Sequence, residues 1–176
     1  MSKDVLNRKK IYDLSTDLYI DAKVEALAHT YAADYWGGSH LALGLTITAL
    51  SAAVSASIFS TYAFLGIIGG GLSLLLVVIS AVSTFLNPDQ RTTSHQKSKV
   101  LYTGIAERAK ALYEVDLELR EQKPDDLCET YEKLLKEMDE TRKNSPRVPM
   151  RHFKRIEKEG KLEAIRKEAR KSSISE

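Results

Sequence analysis

Residues 35–86 read YWGGSHLALGLTITALSAAVSASIFSTYAFLGIIGGGLSLLLVVISAVSTFL, and this stretch decides the fold of the chain. It contains no Lys, Arg, Asp or Glu, and His40 is its one ionisable side chain apart from tyrosines. All 26 basic and 24 acidic residues of the 176-residue chain lie outside it. A long stretch without charge is typical of membrane-spanning segments, because a charged side chain is costly in hydrocarbon.

Two apolar segments lie within this stretch, at about residues 41–59 and 62–86. At a rise of about 1.5 Å per residue they form helices about 28 Å and about 37 Å long, and the hydrocarbon core of a bilayer is roughly 30 Å thick. Only Ser60 and Thr61 separate them. We therefore predict a tight two-helix transmembrane hairpin at residues 37–87. A hairpin buried in a soluble bundle is the alternative, but neither segment has a charged face.

The segments on either side of the hairpin are polar and helical in pattern, so the sequence predicts an all-α membrane protein. Residues 1–36 form a predicted N-terminal cytosolic helix, with a kink at Gly37-Gly38. Residues 88–145 form a predicted cytosolic helical hairpin. Its two helices begin at Asn87-Pro88-Asp89 and Pro124-Asp125-Asp126, because Pro and acidic residues favour the first turn of a helix. The first of these two helices is expected to end near Lys123.

A basic tail follows at residues 146–176, with 10 basic and 5 acidic residues. Its apolar residues are few and only partly periodic. Two interpretations remain open for this tail. It binds anionic lipid headgroups or a nucleic acid, or it is a solvated helical face whose charges are partly paired.

Small and hydroxyl-bearing side chains recur at helical spacing in both predicted spans. Such residues allow helix backbones to approach closely, and Gly66 and Gly70 have the four-residue spacing common at helix interfaces in membranes. Two helices of one chain cannot use all of this surface, so we predict contacts between chains and a homo-oligomer. The candidate helix-packing or pore-lining residues are Gly44, Thr48, Ser51, Ser55, Gly66, Gly70, Ser73, Ser80 and Thr84.

Aromatic residues lie at the ends of the predicted spans. Aromatic rings concentrate at the boundary between membrane and water. The predicted interface anchors are Tyr31, Tyr35, Trp36 and Tyr62. Packing of these rings against a neighbouring helix is the alternative interpretation.

Basic residues near the hairpin lie on the side of its termini, and the tip has none. Because cytoplasmic segments next to membrane spans are enriched in Lys and Arg, this bias favours both termini in the cytoplasm. The predicted location is the inner membrane, and the first predicted partner is the lipid bilayer itself.

The chain shows no arrangement of residues that indicates catalysis. The histidines His29, His40, His95 and His152 are scattered, and none has a second ligand at the spacing of a metal site. No ionisable group inside the spans indicates a proton or ion relay. The sequence therefore predicts no enzyme, no cofactor, no metal and no small-molecule substrate.

Residues at both ends of the hairpin resemble a known family. They are His29, Tyr31 and the run Ala32-Ala33-Asp34-Tyr35-Trp36 before it, and Phe85-Leu86-Asn87-Pro88-Asp89-Gln90-Arg91, His95 and Tyr102 after it. Over roughly residues 8–120 the layout resembles the SLATT family, the SMODS- and SLOG-associating two-transmembrane effector domains of prokaryotic conflict systems. Residues after about 145 lie outside the resemblance.

The resemblance implies a membrane effector of antiviral defence by abortive infection. Such a protein oligomerises, permeabilises the inner membrane and kills the host cell. It also implies a separate partner that senses the infection: a nucleotide-synthesising, reverse-transcribing or nucleotide-sensing protein. The alternative function is a two-span membrane anchor or adaptor that tethers a cytosolic partner and conducts nothing.

Overall fold

The structure is a computed structural model that describes residues 3–59, 62–116 and 124–171. Every regular element in these ranges is a helix, as the sequence predicted. The elements are α1 (Lys3–Ile58), α2 (Ala63–Leu86), α3 (Pro88–Ala111), a π-helical turn (Leu112–Asp116), α4 (Pro124–Asn144), α5 (Met150–Lys158) and α6 (Lys161–Lys171). The predicted turn at Ser60 and Thr61, and the predicted helix end near Lys123, lie outside the described residues.

The chain divides into two compact units. The bundle unit consists of Met1–Ala32 together with Ser94–Glu176, and the hairpin unit consists of Ala33–Thr93. Helix α1 contributes to both, because it is one continuous helix of 56 residues. The sequence predicted an N-terminal helix at residues 1–36 that leads into the first span, with a kink at Gly37-Gly38. The helix continues through this pair of glycines, and the kink stays a prediction. A glycine in a helix costs only about 1 kcal/mol, which the rest of a long helix easily outweighs.

Helix α3 begins at Pro88, as predicted, directly after α2. Asn87 joins the two helices with a left-handed backbone, φ 42°, and its N–H donates to the carbonyl of Ser83 at 3.1 Å. Its carbonyl accepts the first bond of α3, from the N–H of Arg91 at 3.2 Å. Asn tolerates this backbone conformation better than other residues with a Cβ. Asn87 therefore ends one helix and begins the next.

The bundle unit has a well-buried apolar core. α1 supplies Ile11, Leu18, Tyr19, Ala22 and Ala26 at helical spacing. The remaining members come from the helices after the hairpin: Tyr102, Ile105, Ala106, Ala109, Leu112, Tyr113, Leu127, Leu134, Met138 and Ala169. Short apolar stripes on α1, α3 with its π-helical turn, α4 and α6, each too thin to be stable alone, thus share one core.

The predicted basic tail contains two helices that pack into the bundle unit. Ile156 of α5 is 1% exposed and clusters with Ala28 and Tyr31 of α1, and Ala169 of α6 belongs to the main core. Gly160 links α5 and α6 with φ +68°, a conformation that favours glycine. The tail is therefore a folded part of the bundle unit as far as Lys171.

Candidate functional site

Most of the exposed large apolar side chains of the described chain lie in the hairpin unit. The ranges Lys9–Ile58 and Phe64–Glu114 each contain a helix long and apolar enough to cross a membrane, judged by length and composition. Only 6% of each apolar window is buried, whereas the core helix of a soluble protein is mostly buried. Ile67 is 80% exposed and Phe85 is 88% exposed. Within the described residues, this chain does not cover its own most apolar surface.

The half-buried residues of the hairpin unit form one stripe on each helix. On α1 they include Leu43, Ile47, Leu50, Val54 and Ser57, and on α2 they include Leu65, Leu72, Leu76, Ile79, Ser83 and Leu86, with Gly69 fully buried among them. Both stripes alternate spacings of three and four residues. This is the spacing of helix pairs that pack side by side.

Gly69 marks a close approach of α2 to α1. A Cβ placed on it would lie 2.0 Å from the Oγ of Ser57 and 3.0 Å from its Cβ. By contrast, a Cβ on Gly44, Gly66 or Gly70 would meet nothing within 4 Å. The structure thus separates the glycine that the hairpin uses internally from the glycines that it leaves open.

The nine candidate packing or pore-lining residues fall into two groups. Three are half-buried beside the packing stripes: Ser51, Ser73 and Ser80. Six are exposed: Gly44, Thr48, Ser55, Gly66, Gly70 and Thr84. Sequence reasoning did not distinguish Gly69 from its neighbours in the run of three glycines. The signal that identifies it is the register of the apolar stripe, in which Gly69 lies between Leu65 and Leu72.

Hydroxyl groups in the hairpin unit donate to carbonyls of their own helix. Thr48 donates to Gly44 at 2.9 Å, Ser55 donates to Ser51 at 2.9 Å, and Thr84 donates to Ser80 at 2.9 Å. Each such group has its donor satisfied and keeps its oxygen as an acceptor. These side chains therefore suit a lipid surface or a helix interface, and their oxygens also suit a water-filled lining.

Three of the predicted aromatic anchors lie in the hairpin unit. Tyr35 is 47% exposed and its ring meets the ring of Trp36 edge to face, with centroids 5.5 Å apart. The guanidinium of Arg91 lies 4.6 Å from the centre of the Trp36 ring. Tyr62 is 67% exposed. A cation over an aromatic ring is a favourable contact, and both side chains combine an apolar part with a polar end. Such a pair suits a boundary between apolar surroundings and water.

Tyr31, the fourth predicted anchor, lies in the bundle unit and is 6% exposed. Its hydroxyl donates to Glu159 and accepts from the Nζ of Lys161. The guanidinium of Arg155 lies 4.3 Å from the centre of its ring. The bond from Tyr31, with those from Arg155 and Lys161, lowers the pKa of Glu159 to about 2. Tyr31 therefore packs against a neighbouring helix, which was the alternative interpretation for the aromatic residues.

Two of the four histidines meet inside the bundle unit. The Nδ1 atoms of His29 and His95 are 2.9 Å apart, and both side chains are buried. One ring therefore donates and the other accepts. The ring of His29 also stacks on Tyr102, with centroids 5.4 Å apart. Burial, reinforced by the neighbouring His95, lowers the pKa of His29 to about 4.

The His29–His95 pair was not predicted, because the two residues are 66 positions apart. Among the described residues, no group of three or more His, Cys, Asp or Glu side chains is placed to hold a metal ion.

Comparison with protein-family models, with curated proteins and with solved structures finds no match for this chain. The resemblance to the SLATT family therefore stays a prediction, which rests on the residues quoted for it.

Proposed function

We propose that this chain is a two-span membrane protein whose hairpin unit crosses the inner membrane, with both termini in the cytoplasm. The observation that carries the proposal is the uncovered apolar surface of the hairpin unit. At about 25 cal/mol per Å², exposing such a surface to water is strongly unfavourable, and lipid removes the cost. The absence of charge from residues 35–86 removes the main obstacle to insertion.

Within the membrane, we propose that several copies assemble into an effector that permeabilises the bilayer. Support comes from the exposed glycines Gly44, Gly66 and Gly70, beside which there is space for another helix. In lipid, helices associate chiefly through close packing at small residues, because the hydrophobic effect no longer drives them together. The resemblance to the SLATT family adds the setting: a prokaryotic conflict system with a separate nucleotide-synthesising, reverse-transcribing or nucleotide-sensing partner.

The lining of the proposed pore consists of hydroxyl oxygens. Thr48, Ser55 and Thr84 are exposed, and Ser73 and Ser80 lie beside the packing stripe. Their oxygens accept hydrogen bonds from water, although Thr48, Ser55, Ser73 and Thr84 donate their own protons within the helix. Because residues 35–86 contain no Asp, Glu, Lys or Arg, such a pore has no ring of charge and selects weakly between ions.

Expression in bacteria tests this function. We expect that the full chain, together with its activating partner, depolarises the cells and stops their growth. The membrane potential is followed with a voltage-sensitive dye, and insertion is checked separately by resistance to alkaline extraction. A normal potential in cells that contain inserted protein and activator contradicts the effector proposal.

A membrane anchor that conducts nothing is the second candidate. The observation in its favour is that the hydroxyl groups of the hairpin unit donate within their own helices, so their protons need no water. Replacement of residues 37–87 by an unrelated two-span hairpin separates the two candidates. An anchor keeps its function after the exchange, and an effector that assembles through its own helix faces loses it.

A further inference from the structure

Arg91 is the one Lys or Arg in the sequence of the hairpin unit. It lies in the first turn of α3, five residues after Leu86, where the charge-free stretch ends. Its side chain is exposed. In a membrane-spanning hairpin, the first cation beyond an apolar helix lies where the hydrocarbon gives way to the headgroups. The contacts of Arg91 therefore decide what this unit offers to the membrane surface.

Two contacts hold the guanidinium of Arg91 in place. Its Nε donates at 2.8 Å to the carbonyl of Leu86, one of the last carbonyls of α2, which lack partners within their own helix. Its central carbon lies 4.6 Å from the centre of the Trp36 ring of α1. Trp36 in turn meets Tyr35 edge to face, with ring centroids 5.5 Å apart. The guanidinium is thus positioned between the end of α2 and an aromatic ring of α1.

The start of α3 lies against α1 beside this pair. A Cβ placed on Gly37 would lie 3.8 Å from the Cγ2 of Thr92. The Thr92 hydroxyl donates to the carbonyl of Pro88 at 2.8 Å, so its proton is used within α3. Gly37 and Thr92 directly follow Trp36 and Arg91 in the sequence. Packing of the two helices therefore holds the ring and the guanidinium side by side, in addition to their own contact.

Most donors of Arg91 have no partner among the described residues. A guanidinium has five N–H groups, and the bond to Leu86 uses the one on Nε. The four on the two Nη atoms form no hydrogen bond, and Arg91 forms no ion pair, within the described part of the chain. Asp34 and Asp89 are the acidic residues of the hairpin unit, and neither is paired with Arg91. The open N–H groups match the oxygens of a phosphate, to which arginine donates through two parallel bonds.

We propose that Arg91 binds the phosphate of a membrane phospholipid through its Nη groups, with Trp36 beside the headgroup. The proposal rests on the proposed insertion of the hairpin unit, and it concerns residues of that unit alone. Phospholipids supply phosphate groups at the boundary where tryptophan side chains concentrate. Because the guanidinium is already held in position, little of its freedom is lost on binding. Hydrogen bonds to a charged group strengthen binding by about tenfold or more.

A nucleic acid fits this site less well. Nucleic acids are held by several cations that follow successive phosphates, and the hairpin unit has a single Lys or Arg. One guanidinium fixed beside one aromatic ring matches one phosphate group. The structure therefore favours the phosphodiester of a single lipid over the phosphates of a strand.

Trp36 is the one tryptophan of the chain, so its fluorescence reports on this site alone. The test places the full chain in nanodiscs of digalactosyldiacylglycerol, a lipid without phosphate. Two quenchers are compared at low mole fraction: a phosphatidylcholine with a nitroxide on its headgroup, and a diacylglycerol that carries the same nitroxide without the phosphate. We expect half-maximal quenching of Trp36 at an about tenfold lower mole fraction of the phospholipid. Equal quenching by the two lipids overturns the proposal without any variant.

Competition identifies the source of the phosphate. Unlabelled phosphatidylethanolamine should relieve the quenching, whereas inorganic phosphate at equal ionic strength should not. Relief by inorganic phosphate overturns the proposal in favour of a free-phosphate site. Relief by single-stranded RNA overturns it in favour of a nucleic acid.

The variant Arg91→Gln removes the charge and the paired donors. It should raise the mole fraction of phospholipid at half-maximal quenching to that of the phosphate-free quencher. Lys143→Gln, which removes one exposed charge from α4, is the matched control and should keep the difference between the two lipids. An unchanged difference in Arg91→Gln, or an equal loss in both variants, contradicts the proposal. Circular dichroism checks that both variants retain their helices.

Insertion is measured in the same samples, by elution of the protein with the nanodisc. Protein that elutes with the nanodisc but is quenched equally by the two lipids refutes this inference and leaves the proposed insertion standing. Protein that does not enter the nanodisc refutes both.

Discussion

The bundle unit and the hairpin unit are both built from helices, but they place their apolar side chains in opposite directions. In the bundle unit, Ile105 and Leu112 are at most 1% exposed. In the hairpin unit, Ile67 is 80% exposed and Leu74 is 72% exposed. Helix α1 takes part in both units, and the boundary between them lies at Ala33. Its apolar residues are mostly buried before this point and mostly exposed after it. The difference teaches that the same secondary structure carries either a buried or an exposed apolar face, and that an exposed apolar face suits lipid rather than water.

The two units also use polar side chains differently. The bundle unit joins different helices through side-chain pairs, such as His29 with His95 and Tyr31 with Glu159. The hydroxyls of the hairpin unit donate within one helix, as Thr48 does to Gly44. Pairs between helices fix the arrangement of the bundle unit from within. In the hairpin unit, close approach at small residues must supply the specificity instead.

The largest expected effect comes from a matched pair of isoleucines. Ile105→Ala in the bundle unit leaves a cavity in a packed core and should lower the free energy of unfolding by about 2–5 kcal/mol. Ile67→Ala in the hairpin unit removes a side chain that contacts little of this chain and should change stability far less. Hydrogen exchange of the α3 amides in lipid nanodiscs measures both. Equal losses would contradict the contrast between the two units.

The variant Gly69→Leu is expected to have the next largest effect on stability. Its side chain would overlap Ser57, so α1 and α2 must move apart, at a cost of about 1–3 kcal/mol. Gly71→Leu is the matched control, because a Cβ there meets nothing within 4 Å. Thermal unfolding in detergent, followed by circular dichroism, should show a lower midpoint for Gly69→Leu alone. If Gly71→Leu is the more damaging, the register of the hairpin unit is wrong.

Acidification should weaken the bundle unit through His29. Its pKa is about 4 when folded and about 6.5 in an unfolded chain. Between these values the unfolded chain binds a proton that the folded chain does not, so stability is complete above about pH 6.5 and falls as the pH drops toward 4. The slope is at most about 1.4 kcal/mol per pH unit.

Glu25 and Arg142 modify the pH dependence of stability that is expected from His29. Burial raises the pKa of Glu25, which works in the opposite direction, because the folded state then takes up a proton more readily. Arg142, close to Glu25, partly opposes that rise. His29→Asn should flatten the pH dependence of the unfolding midpoint, and His40→Asn, an exposed position in the hairpin unit, should not. If the unfolding midpoint of His29→Asn depends on pH as steeply as that of the parent, His29 does not cause the loss of stability in acid.

The sequence predicted the features that depend on local composition. The two apolar helices follow from a stretch without charge, and the starts of α3 and α4 follow from Pro88 and Pro124. The sequence could not predict pairs that depend on distant packing, such as Tyr31 with Glu159, which are 128 positions apart. It also understated α5 and α6, because a helix that contributes one buried apolar residue, such as Ile156, shows little periodicity.

The candidate site shows the same division. The stripes of small residues were visible from spacing alone, but their use was not. Which glycine faces the neighbouring helix depends on the register of α1 against α2, and that register is set by apolar residues on both helices. Hence Gly69 was missed, while Gly66 and Gly70 were identified as small residues without any means of telling whether they face inward or outward.

The central claim is that the hairpin unit inserts into the membrane and leaves an open glycine face for other copies. Chemical cross-linking in bacterial membranes tests it most directly, with Gly66→Leu/Gly70→Leu compared against Gly71→Leu and the parent. Leu favours insertion more than Gly does, so all three proteins should resist alkaline extraction. We predict that only the double variant loses the cross-linked oligomers, because its new side chains fill the space beside Gly66 and Gly70. Oligomers as abundant in the double variant as in the parent would contradict the account.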